Sequence, residues 1–341
     1  MQNFKRILAF FLSALCLLTC VSGCKVQPEL TEEEIYALNT VITFTIYEDN
    51  KEALDKAKNE IKRLENLLSV TKEDSDVYKI NTNPDTSVRV SEDTFSLIKT
   101  SVGVSENVSG VFDITVYPAV RLWGFTTSEY KVPDESELNI VQKNIDYKKI
   151  EIEEESKSIK VPKGTNLDLG GIAKGYVADK AAEVLVSCGV TSALLNFGGN
   201  IKLIGSKPDG SDFKIGIKAP FSDGYYGILT AHNTTISTAG GYERYFEENG
   251  KRYHHILNPF TASPAESDII SSTVVGEKGE ICDALATSVF VGGSNSLAKI
   301  SEIYSEYGFI ALTENAVYIS ESLHSSFELT EKYKDKEIII I

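Results

Sequence analysis

Residues 166–185 read NLDLGGIAKGYVADKAAEVL. A glycine pair, Gly170-Gly171, sits where an extended segment turns into a helix, with Lys174 one turn in. Val177, Ala181, Val184 and Cys188 recur at helical spacing, and Gly189 is a fitting C-terminal stop. SALLNF and NIKLIG follow as strands around Gly198-Gly199. The stretch is not GxxxxGK[ST], so it is no Walker loop, and GxGxxG is absent too. Exposed backbone N–H groups and the helix dipole at such a start favour an anion, and Lys174 can add a point charge. A plain glycine-rich turn with a surface lysine is the other reading, and these residues leave both open.

Outward from that helix the chain mixes strands and helices without a regular βαβ succession. ALNTVITFTIYED alternates with β-branched and aromatic residues and predicts a strand. KEALDKAKNEIKRLENLLSV predicts an amphipathic helix with Leu54, Ala57, Ile61, Leu64 and Leu68 on one face. A second helix covers roughly 91–107, and KKIEIEEESKSIKVP reads as a hairpin. FKIGIKA, GILTA, TTISTA and SSTVVG are strands, and YERYFEENGKRYHHIL is a hairpin turning at Asn249-Gly250. EICDALATSVFVGG and NSLAKISEIYSEY are helices, and GFIALTENAVYIS is a strand pair. The sum is an α+β domain with mostly antiparallel sheets and packed helices.

The first residues, MQNFKRILAFFLSALCLLTCVSGCKVQ, carry Lys5 and Arg6 before an apolar run that ends at Val21-Ser22-Gly23-Cys24. That is the anatomy of a secretory signal, and its end resembles a bacterial lipobox with Cys24 as the lipidated residue. The expected organisation is a signal peptide over 1–23, a lipidated tether over 24–34 and one large domain over 35–341. Such a chain sits lipid-anchored on the extracytoplasmic face of a bacterial cell membrane. Cys188 and Cys282 remain in the domain, as a single disulfide or as two small apolar residues. No CxxC pair survives to suggest a zinc ribbon or thioredoxin-type site. The formal net charge is −15, and the chain after residue 23 loses two bases and no acid, which makes it −17. A domain this acidic is a poor nucleic-acid binder.

Three further constellations carry chemistry. Asp283 and Thr287 lie four apart on a predicted helix and so share a face. Carboxylate and hydroxyl oxygens suit a hard cation such as Mg²⁺, although such pairs also arise by chance along helices. His254 and His255 end a strand, where they point to opposite faces, and a neutral imidazole there can take a proton from a hydroxyl. GVFDITVYPAVRLWGF brings Phe112, Tyr117, Trp123 and Phe125 together, to stack on a flat ring or to pack in a core.

In their order, LNT, FDITVYPAVRLWGF, LDLGGIAKGYVADK, LNFGGNI, TAGGYERYF, YHHILNPFT and DALATSVFVGG resemble the ApbE family, the FAD:protein FMN transferases, over roughly residues 35–315. The resemblance implies a single large T-fold-related domain. It implies FAD as substrate and Mg²⁺ as cofactor. It also implies transfer of FMN to a threonine hydroxyl of an acceptor protein with a D-G-x-S/T-G-A-T-like motif, releasing AMP. Redox-pump subunits and FMN-binding electron-transfer domains are the acceptors it suggests. By motif, Gly171, Asp283 and Thr287 become metal ligands, and Lys174, Leu38, Val111, Phe112 and Asp113 contact the cofactor. His255 becomes the base and a cofactor contact, with Asp283 as a second candidate for the proton. The chain departs from the family pattern at Asn39, Ala239, Asn258 and Ala262. An FAD pyrophosphatase using the same site, and a flavin-binding lipoprotein without catalysis, are the alternative readings.

Overall fold

Most elements follow the apolar pattern of the sequence, and the computed structural model describes residues 30–341. The signal peptide, Cys24 and most of the expected tether lie outside the described residues. In chain order the elements begin with β1 (Thr31–Ala37), β2 (Thr40–Ile46), α1 (Lys51–Leu68), α2 (Asp76–Thr82), β3 (Val88–Arg89) and α3 (Glu92–Asn107). Then come α4 (Tyr117–Leu122), α5 (Glu135–Gln142), β4 (Glu151–Glu153), β5 (Ser158–Lys160), α6 (Ala173–Ser187), β6 (Ala193–Phe197) and β7 (Asn200–Ile204). They continue with β8 (Phe213–Lys218), β9 (Tyr225–Ala231), β10 (Thr235–Gly240), β11 (Tyr245–Glu248), β12 (Lys251–His254), β13 (Leu257–Asn258), β14 (Ser263–Pro264) and β15 (Ser271–Gly276). The chain closes with α7 (Gly279–Gly292), α8 (Ser294–Ile303), β16 (Gly308–Leu312), β17 (Ala316–Ile319), α9 (Glu321–His324), β18 (Phe327–Leu329) and β19 (Glu337–Ile340).

Nine of these strands make one sheet in the order β1-β2-β6-β7-β10-β15-β16-β17-β19. Its ladders are antiparallel except β17 with β19. One face is covered by helices. α1 buries Leu54, Ala57, Ile61, Leu64 and Leu68, the face its periodicity predicts, and starts where the Asn50 side chain accepts from Ala53 N–H. Each such large side chain contributes roughly 1.5–3 kcal/mol when fully buried. The other face carries the three-stranded sheet β18-β9-β8, with Phe213, Tyr226, Ile236 and Val317 between the layers. A third cluster joins Trp123 and Phe125 to Leu257 and Ala262, and the β11–β12 hairpin packs on it.

One local difference from the sequence reading has a clear cause. The strand expected from Ala37 is a hairpin, and its first strand begins at Thr31, inside the expected tether. Its turn residues, Leu38 and Asn39, both have positive φ (53° and 58°), without the glycine that usually marks such a turn. Glu65 helps hold that turn by accepting Leu38 N–H at 2.8 Å. Cys188 and Cys282 are free thiols, Cys282 buried within α7 and Cys188 half-buried at the end of α6, so no disulfide joins them.

Candidate functional site

The glycine-rich stretch and the DALAT helix meet at one place. α6 starts without a side-chain cap of its own. Its missing acceptor comes from α7: Asp283 Oδ2 accepts Gly175 N–H at 3.1 Å. The two helices approach so closely that a Cβ on Gly175 would stand 1.9 Å from the Gly279 carbonyl oxygen. Asp179, one turn further along α6, accepts Gly279 N–H at 2.6 Å and pairs with Lys202 at 2.7 Å, which fixes the start of α7. Local sequence therefore builds two helices, and their paired ends build the site.

That crossing orients the expected metal ligands. With Oδ2 held by Gly175, the other Asp283 oxygen faces Lys174 Nζ, 3.5 Å away. Lys174 Nζ also donates to the Gly170 carbonyl at 3.2 Å, so an ammonium bridges a carbonyl and a carboxylate. Thr287 Oγ1 lies 3.8 Å from the position a Gly171 Cβ would take, and the Phe112 ring lies 3.1 Å from it. Gly171, Lys174, Asp283, Thr287 and Phe112 thus converge. Their oxygens form a hard donor set, with a cationic side chain already drawn to it.

The histidine pair divides as strand geometry requires. His254 turns inward against Phe290, and its Nε2–H donates to the Ala265 carbonyl at 3.0 Å. His255 Nδ1 lies 3.1 Å from the Arg244 carbonyl. A carbonyl can only accept, so Nδ1 carries the proton and the Nε2 lone pair is free. Burial, with the nearby Arg244 and Lys174 charges, pushes the His255 pKa down to about 3, and the ring is neutral at pH 7.

The remaining expected residues are held differently. Val111 approaches Gly292 near the end of α7, and Phe112 is buried in the main core. The Asp113 carboxylate turns inward and accepts from Thr115 N–H, Thr115 Oγ1 and Tyr147 N–H. Leu38 sits on the β1–β2 turn and packs on the main core. Phe112, Tyr117, Trp123 and Phe125 are all buried, and Trp123 Nε1–H donates to the Ala262 carbonyl at 2.8 Å, so core packing is their fate in this structure.

Two further charged residues belong to this cluster. Asp168 accepts Gly170 N–H at 2.8 Å and feels the Arg244 and Lys174 charges, while burial raises its pKa. Arg244 donates through Nη2 to the Phe125 carbonyl and sits over the Phe125 ring. Asp168 lies two residues before the glycine pair, so its Asx turn was visible in sequence. Nothing in the spacing pointed to Arg244.

A sequence profile described as the ApbE family matches residues 38–310. An FAD:protein FMN transferase of Klebsiella pneumoniae (strain 342) is 32% identical over 273 residues, covering 76% of this chain and 84% of the relative. One from Treponema pallidum (strain Nichols) is 30% identical over 269 residues, covering 73% and 74%. Among solved structures, the ApbE protein of Thermotoga maritima superposes with a TM-score of 0.82 at 31% identity, over 87% of this chain and 99% of that one. The flavin transferase ApbE from Vibrio cholerae gives 0.79 at 25% identity, over the same shares.

Proposed function

The chain belongs to the ApbE family, and we propose that it acts as an FAD:protein FMN transferase whose acceptor is a threonine hydroxyl on an exported redox protein. The observation that carries the site assignment is the convergence of Gly171, Lys174, Asp283 and Thr287 at the α6–α7 crossing. The Gly171 carbonyl, Asp283 Oδ1 and Thr287 Oγ1 are the groups that would hold magnesium. Bound there, the ion supplies charge neutralisation to a pyrophosphate.

This chain's own residues do the rest. Lys174, one turn into the glycine-rich segment, binds the FAD phosphates, and Arg244 faces the same site. His255, kept as the Nδ1–H tautomer by the Arg244 carbonyl, presents Nε2 to the acceptor hydroxyl. The threonine oxygen forms a bond to the FMN phosphorus, the bridging P–O bond breaks, AMP leaves, and the hydroxyl proton passes to Nε2. Burial makes that nitrogen a weak base, and an anionic pyrophosphate beside it would raise its affinity for a proton. Because threonine is a poor nucleophile, orientation contributes more than full deprotonation.

The decisive experiment incubates the chain with FAD, Mg²⁺ and an acceptor domain bearing a D-G-x-S/T-G-A-T motif, and reads intact mass and nucleotide products. An FMN-sized gain that disappears with EDTA or with Asp283→Ala is the expected result. Free FMN and AMP beside an unmodified acceptor would make the protein an FAD pyrophosphatase. We further propose that Cys24 carries a lipid anchor holding the domain on the extracytoplasmic face of a bacterial cell membrane. Radiolabelled fatty acid incorporation that is lost in Cys24→Ala tests this.

A further inference from the structure

A concavity of about 540 Å³ lies beside the candidate site and shares a wall with it. The wall is the segment 110–113. Phe112 faces Gly171, while Gly110 backs onto the rings of Phe260 and Tyr147, at 3.4 and 3.6 Å from the position its Cβ would take. The rim carries Lys143, Lys148 and Lys149. None of these three forms an ion pair with a carboxylate among the described residues. Lys149 Nζ donates to the Lys143 carbonyl, and Lys148 lies 5.7 Å from the Tyr147 ring centroid.

Three acids also line the concavity, and one of them is turned inward, away from an incoming ligand. Asp113 is buried under three donors, and Asp146 Oδ1 accepts Lys148 N–H. Glu106 alone stands exposed at the end of α3. With Asp113 turned inward, three lysines face Glu106 and the half-buried Asp146, an excess of one positive charge on a chain with 49 acids and 34 bases. Phe260 is 56% exposed in the same place, so an apolar contact sits within the charged ring.

We propose that this concavity docks an acidic segment of the acceptor protein flanking its target threonine, and so delivers the hydroxyl across the 110–113 wall. The idea rests on the transferase reading above. The lysines supply long-range attraction and register, and Phe260 supplies buried contact. Neither is part of the chemistry, so their loss acts on the acceptor alone.

The test compares the full chain with K148E/K149E and, separately, Phe260→Ala, using the acceptor domain above with acidic residues beside its motif. The charge-reversed variant should raise the KM for the acceptor about tenfold, a size expected for rim charges that steer encounter. Its KM for FAD and its kcat should not change, and replacing the acceptor's acids by lysine should restore the acceptor KM. Phe260→Ala should raise the same KM without altering its salt dependence. An unchanged acceptor KM in the charge-reversed variant overturns the docking proposal. So does an unchanged acceptor KM with weakened binding to phosphatidylglycerol vesicles, which would assign the lysines to an anionic membrane. If the wild-type chain itself leaves the acceptor unmodified, the transferase reading has failed and this proposal falls with it.

Discussion

At the scale of single residues, Asp283 does two jobs with two oxygens. Oδ2 completes the start of α6, and Oδ1 faces Lys174 Nζ, where the proposed cation would be held. An asparagine in its place would keep an acceptor for Gly175 N–H and lose the charge. Asp283→Asn should therefore fold normally by circular dichroism yet lower the transfer rate by about 10²-fold or more. Thr287→Val keeps the shape and removes a donor, and should raise the Mg²⁺ concentration needed for half-maximal rate about 10–100-fold. His255 gives a pH prediction with a definite sign. Its folded pKa, about 3, lies below the ordinary value near 6.5. Below pH 6.5 the unfolded chain takes a proton that the folded chain refuses, so stability falls as pH drops toward 3. Replacing it by glutamine should flatten the slope of Tm against pH between 7 and 4. An unchanged slope would show that the imidazole is not held neutral. Asp283, Thr287 and His255 were legible as candidates because residue type and motif carry them. The partners that orient them were not. Lys174 and Asp283 are 109 positions apart, and no periodicity reports a contact of that kind.

At the scale of elements, two glycines of one helical segment are there for different reasons. Gly175 is a matter of contact, since its Cβ would strike the Gly279 carbonyl. Gly189 is a matter of conformation, with φ of 92° and open space around it. Gly175→Ala should force α6 and α7 apart, cost roughly 1–3 kcal/mol and abolish transfer. Gly189→Ala should cost about 1 kcal/mol in a denaturant titration and leave kcat intact. Equal losses of activity from the two substitutions would contradict the view that the crossing itself builds the site. Helices with a clear apolar face, such as α1, and strands bounded by glycine turns were readable ahead of the structure. The β1–β2 turn was not, because Leu38-Asn39 lacks the usual turn chemistry and leans on Glu65 from α1.

At the scale of the whole molecule, the site depends on layers that contribute no residue to it. The ApbE profile ends at residue 310, yet the main sheet continues through β17 and β19. Val317, Ile319 and Phe327 join the core between the two sheets, and β18 pairs with β9. That core lies behind β10 and β15, whose other face packs under α7. A chain ending after residue 314 keeps every proposed ligand and the base. It also exposes β16 as a new edge and strips three large apolar side chains from a closed layer. The edge invites pairing with other copies, and each lost side chain removes roughly 1.5–3 kcal/mol, against a total stability of about 5–15 kcal/mol for a typical domain. The truncated chain should therefore be recovered as aggregate, or as a soluble form without a cooperative thermal transition, and without transferase activity. A cooperative, active product would show that the helix face and the main sheet alone hold α6 against α7, and the second layer would then need another explanation.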